Sequence, residues 1–97
     1  MNIRSGRKVV TTAGTRVALS DTNLHVARII IAAETDNTNP VTVGGADVVG
    51  ALATRVGIPL DVDATTEQTI EMCDVDLKDI YIDSVTNGEG VTYTYFF

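Results

Sequence analysis

Tryptophan is absent from these 97 residues, and histidine and cysteine occur once each, as His25 and Cys73. A single cysteine excludes an internal disulfide and any cysteine-rich zinc site, and Cys73 is expected to be a small buried hydrophobe. Nothing in that usage points to an oxidising compartment. A single histidine leaves nucleophilic catalysis without a recognisable triad. His25 lies between Leu24 and Val26, and Ser5, Ser20 and Ser84 all sit in turn-like settings outside any G-x-S-x-G context. His25 is therefore read as a packing or loop hydrogen-bonding residue. No apolar run approaches the roughly 18 residues that cross a bilayer, and Ile29–Ala33 is of strand length. The N-terminus lacks the apolar segment of a secretory signal. Phosphate-loop chemistry is missing too, because Gly44-Gly45 has no lysine after it and Gly88-Glu89-Gly90 lies between two strand-like runs. The expectation is a non-enzymatic chain with no cofactor, no resident metal and no membrane.

Basic residues are few, 7 against 13 acids, and they are unevenly placed. Residues 1–16 hold Arg4, Arg7, Lys8 and Arg16 and no acid, which is +4. The remainder sets all 13 acids against Arg28, Arg55 and Lys78, which is −10. The reading is a flexible basic arm over residues 1–8, joined to an acidic single domain over 9–97. Such an arm docks on the acidic face of a like subunit or on another protein. Nucleic acid is not an expected partner, because the body repels phosphate and no aromatic residue interleaves with the basic ones.

The acids themselves cluster as Asp61 with Asp63, and as Asp74 with Asp76 ahead of Asp79 and Asp83. Oxygen ligands at alternate positions suit Ca²⁺, but the second cluster lacks the glycine and the closing glutamate of an EF-hand loop. Acids at strand ends more commonly cap turns or solvate a surface. Paired carboxylates also serve glycosidases, which need a substrate cleft that a chain of this size is short of residues to wall.

The residues that remain spell strands. Lys8–Thr12 reads as a strand, with a turn at Ala13-Gly14 and a returning strand over Thr15–Leu19. Val26–Ala33 is apolar on both faces apart from Arg28, the pattern of a central strand between two sheets. Val41–Gly44, Ile58–Leu60 and Glu67–Cys73 follow, with Pro59 suited to an edge and Ile70 and Met72 facing inward. Glu34–Pro40 and Asp61–Thr66 are polar connections. Over 47–56 the spacing of Val48, Val49, Leu52, Ala53 and Val56 is helical, yet Gly50 and the valines disfavour a helix, so a short helix or an irregular crossover is expected. Ile80–Asp83 and Val91–Phe97 read as a β-hairpin with its turn chemistry over Ser84–Gly90, where Asn87 and the glycines tolerate positive φ. All five aromatic residues fall in that last stretch, and a chain closing on Phe96-Phe97 is expected to seat them in its own core or against a neighbouring subunit. About eight short antiparallel strands separated by turns make an all-β domain, a small β-sandwich or jelly roll.

Three ordered segments carry a resemblance. They are Val10–Ser20; Ile29–Ala33 with Asn37–Pro40 and Val41–Gly45; and Gly57–Leu60 followed by Asp76–Asp83 and Gly88–Tyr95. Together they span nearly the whole chain, and the set is similar to a class of small tailed-bacteriophage virion proteins that resembles capsid cement or decoration proteins. The 47–56 segment is longer than that pattern. The resemblance implies a β-sandwich or jelly-roll subunit, homotrimeric, made in the host cytoplasm and bound to the major capsid protein on the virion surface. Related modules occur in necks, tails and fibres, which is the alternative. A carbohydrate-binding β-sandwich is a second alternative, disfavoured by the lack of tryptophan platforms. The expected partner-binding residues are Arg4, Arg7 and Lys8 at one end of the chain, and Tyr95, Phe96 and Phe97 at the other.

Overall fold

A computed structural model describes residues 1–61 and 68–97. Among these described residues eight strands occur, in the order expected: β1 (Ile3–Val10), β2 (Val17–Ala18), β3 (His25–Ala33), β4 (Val41–Gly44), β5 (Ile58–Leu60), β6 (Thr69–Asp76), β7 (Tyr81–Ser84) and β8 (Glu89–Phe96). They form two antiparallel sheets, ordered β1-β8-β3-β6 and β2-β7-β4-β5. The pairing has a simple logic. β1 pairs with β8, β2 with β7, β3 with β6 and β4 with β5, as in one long folded ribbon. Rolling that ribbon brings β3 against β8 and β4 against β7, which makes the protein a small β-sandwich with jelly-roll topology.

This topology corrects two local expectations. Lys8–Thr12 and Thr15–Leu19 are not a hairpin, because β1 and β2 belong to different sheets. Nor do Ile80–Asp83 and Val91–Phe97 pair, since β7 and β8 are likewise divided. In both places the turn residues are present but carry the chain across the sandwich. A turn fixes a reversal of direction; burial of the alternating apolar faces decides the partner.

The core lies between the sheets. Val26, Ile29 and Ile31 of β3 face Val41 and Val43 of β4 and Ile82 of β7 across one cluster, all fully buried, joined by Val10, Val91, Leu60, Leu77 and Ile80. Each such side chain contributes about 1.5–3 kcal/mol on burial. β3 is central within its sheet but covered on one face only, which corrects its placement between two sheets. Ile30 and Ala32 on the outer face stay half-exposed beside Ser5, Thr92 and Thr94, in a shallow depression of about 540 Å³.

The inward side of β3 and β6 changes parity once, and in both strands together. Ile29 and Met72 are one inward pair and Val26 and Val75 another, so two residues per strand intervene where regular alternation allows one. Asp74 takes up the jog with φ of 53°. Cys73 is exposed, which corrects its assignment to the core. The alternation that turns Ile70 and Met72 inward turns Cys73 outward.

Residues 47–56 contain no helix. Val49 and Val56 form an isolated antiparallel bridge around a turn, so the irregular crossover is the form taken. Gly50 explains it. A Cβ there would lie 2.9 Å from the Asp83 carbonyl carbon, and the Gly50 N–H donates to Asp83 Oδ2 at 2.9 Å. The crossover is thereby pinned against β7. Asp61–Thr66, and with it Asp63, lies largely outside the described residues, as does the first residue of the expected Glu67–Cys73 strand.

A basic and aromatic sheet edge as the candidate functional site

The basic and aromatic ends of the chain, read separately in the sequence, form a single edge. β1 pairs with β8 along its whole length, Ile3 opposite Phe96, Arg4 opposite Tyr95 and Lys8 opposite Val91. Asn2 and Phe97 extend the ladder by exchanging backbone hydrogen bonds of 2.6 and 2.9 Å. Residues 3–8 are therefore strand, and the free basic arm over 1–8 is corrected. The physical reason is that an unpaired β8 would expose its backbone donors and acceptors, and β1 satisfies them. The domain runs through β1 rather than beginning at residue 9.

Alternation divides the edge into two faces. Arg4, Lys8, Tyr93, Tyr95 and Phe97 share one side, and Ile3, Ser5, Arg7, Thr92, Thr94 and Phe96 the other. On the first, Tyr93 stacks on Tyr95 at 6.0 Å between ring centroids, and Tyr95 meets Phe97 at 5.6 Å. Tyr95 is in the core, whereas Phe97 is 38% exposed. Burial, and secondarily the neighbouring Tyr95, holds the Tyr93 hydroxyl above its ordinary pKa. The Arg4 guanidinium carbon lies 5.9 Å from the Phe97 ring centroid, within cation–π range.

On the second face, Ile3 is 64% exposed beside Phe96, and Arg28 of β3 places its guanidinium 5.9 Å from the Phe96 ring. Arg28 also donates to Glu71 of β6 at 2.8 Å, a hydrogen bond that raises its pKa. Ser5 and Thr94 join their hydroxyls at 3.0 Å. Arg7 is different. Its guanidinium crosses Thr92 to the buried Glu34, pairing Nε with Oε1 and Nη2 with Oε2, the latter at 3.1 Å. That hydrogen bond raises the Arg7 pKa. Arg7 fastens β1 to the end of β3, so of the three expected basic contacts Arg4 and Lys8 are those without a carboxylate partner among the described residues.

The remaining polar groups have local duties. His25 Nε2 and Asp74 Oδ1 are 2.6 Å apart on the β3–β6 surface. Asp76 accepts from the Leu24 and Lys78 N–H groups, which lower its pKa. Asp83 is buried and accepts from Gly14, Gly50 and Ser84 N–H, tying three segments together. Glu89 does the same for the 34–40 loop, accepting from Thr38 and Asn39. The Ser20 and Ser84 hydroxyls donate to the Thr22 and Thr86 carbonyls. No group of three or more His, Cys, Asp or Glu side chains converges among the described residues.

Sequence reasoning passed over Ile3, Glu34 and Glu71 as parts of this edge. Arg28 was visible as the lone charge in an apolar strand; Glu34 and Glu71 carried no such signal, because their roles depend on which strands adjoin. No family model, curated protein or solved structure matches this chain.

Proposed function

We propose that the protein is a non-enzymatic capsid cement subunit of a tailed bacteriophage, a homotrimer that binds the major capsid protein shell and stabilises it. The observation supporting this reading is the joining of Arg4, Lys8 and Phe97 on one face of the β1–β8 pair, with Ile3 and Phe96 on the other, an open rim suited to docking. The ordered segments that resemble small virion proteins supply the partner. A cement subunit acts by bridging capsomers, because each bridge adds interface that must break before they separate. Exposed charge pairs are individually worth under about 1 kcal/mol, so the edge works through many copies on a multivalent lattice. Arg4→Ser combined with Lys8→Ser leaves the folded domain intact and lowers occupancy on shells stripped of cement. Wild-type occupancy by the double variant contradicts the assignment of docking to this edge. Failure of the wild-type chain to bind such shells contradicts the function.

A further inference from the structure

The two sheets end differently. The edges of β2-β7-β4-β5 are strands of two and three residues, the second carrying Pro59, whereas the edges of β1-β8-β3-β6 are both eight residues long. Among the described residues, β1 pairs only with β8 and β6 only with β3. Long strands with one unpaired side are templates for another strand. Their charges are opposite. β1 carries Arg4, Arg7 and Lys8 and no acid; β6 carries Glu71, Asp74 and Asp76 and no base. Arg7 is committed to Glu34 and Glu71 to Arg28, while the 87% exposed Asp74 meets His25 and Asp76 accepts from the Leu24 and Lys78 N–H groups; one edge thus keeps Arg4 and Lys8 and the other these two carboxylates.

We propose that β1 of one copy pairs with β6 of the next, extending the four-stranded sheet from subunit to subunit in a head-to-tail assembly. The occupant of each edge is a second copy of this chain. Direction permits it: three antiparallel steps separate β1 from β6, so they run oppositely. A second copy in the same orientation therefore presents β1 antiparallel to β6. Charge selects it. A two-fold contact between β1 strands sets Arg4, Arg7 and Lys8 against their own kind, and one between β6 strands does so with acids, whereas β1 on β6 sets cations against carboxylates. A head-to-tail contact closes into a ring where its rotation allows, which is the symmetry a trimer needs. The inference rests on the self-association in the proposed function and not on the capsid.

Cys73 supplies the test, since it is the sole cysteine and lies exposed on β6. Ile3, Ser5 and Cys73 share the outer face of the sheet, and Arg4 the opposite one. Ile3→Cys and Ser5→Cys, oxidised in the isolated full chain, are expected to give an intermolecular disulfide from at least one of the two, lost completely on adding Cys73→Ser. Arg4→Cys is expected to give none. Neighbouring strands bring paired Cα atoms within the roughly 4.4–6.8 Å that a disulfide spans. The proposal is overturned if neither outer-face variant cross-links, or if the cross-link survives Cys73→Ser and so joins β1 to β1. It is equally overturned if the wild-type chain cross-links through Cys73 alone, or if Arg4→Cys cross-links as readily as the outer-face variants. A trimer lacking the β1–Cys73 link leaves the cement reading standing, and the link without shell binding separates the two in the other direction.

Discussion

Arg4 and Phe97, near opposite ends of the chain, meet with the guanidinium carbon 5.9 Å from the ring centroid. The contact exists because the first and last strands are partners, and it makes one surface of two sequence features. That surface is the basis of each functional claim, so the predictions concern first what holds β1 and β8 together and then the anchors behind them.

Tyr95 separates packing from exposure. It is in the core while the adjacent Phe97 is 38% exposed. Tyr95→Ala is expected to cost about 3–5 kcal/mol in urea denaturation, the usual range for truncating a buried aromatic, and Phe97→Ala much less. Equal losses from both would mean that the ladder of rings is uniformly buried. Deletion of 95–97 also removes the pairing of Ile3 and Arg28 with Phe96, so it is expected to exceed Tyr95→Ala.

Gly90 sets how closely β1 approaches. A Cβ on Gly90 would lie 2.2 Å from the Lys8 carbonyl oxygen, so backbone must move to admit it. Gly90→Ala is expected to cost about 1–3 kcal/mol, the range for overpacking. Amide hydrogen exchange should quicken in Ile3–Val10 more than in β3, which keeps β6 as a partner.

Asp83 is the internal tie. Asp83→Ala strips the side-chain acceptor from the buried N–H groups of Gly50 and Ser84, while the Gly14 N–H keeps the Ser84 carbonyl. Each buried donor left unpaired costs about 1–3 kcal/mol, so this loss is expected to exceed that of any single exposed-edge substitution. Protection at the Gly50 amide should disappear with it.

Asp76 gives a pH dependence of known sign. Hydrogen bonds from Leu24 and Lys78 hold its folded pKa below the ordinary carboxylate value. Between the two values the unfolded state binds more protons. The contribution is therefore complete above the unfolded pKa and is lost as pH falls through the folded one. Asp76→Asn keeps an acceptor oxygen and removes the charge, so the denaturation midpoint of the variant should fall less steeply on acidification than that of the wild type. Parallel acid limbs would contradict the assignment.

Strand existence and order were legible because apolar alternation is local: Val41–Gly44 and Ile58–Leu60 occur as read, and Pro59 lies on an edge strand. Pairing was not legible. Asn87-Gly88 and Ala13-Gly14 carry ordinary hairpin chemistry, yet in a rolled ribbon the strands beside them join different sheets. The site was half visible. Arg4, Lys8, Phe96 and Phe97 stood out by charge and aromaticity, but their union is a long-range fact of the β1–β8 ladder. The basic stretch read as an arm because Arg4, Gly6, Arg7 and Lys8 lack the apolar alternation of a core strand. An edge strand needs only backbone pairing on one side, and basic side chains suit its open rim.

The central claim is the proposal that the chain coats a capsid shell, and the most direct test is whether it is present in purified phage virions and at what copy number, counted by quantitative mass spectrometry against the major capsid protein. The account predicts a number approaching that of the major capsid protein. A small fraction of that number would place the chain in a neck, tail or fibre, and absence from the particle would contradict the virion assignment altogether.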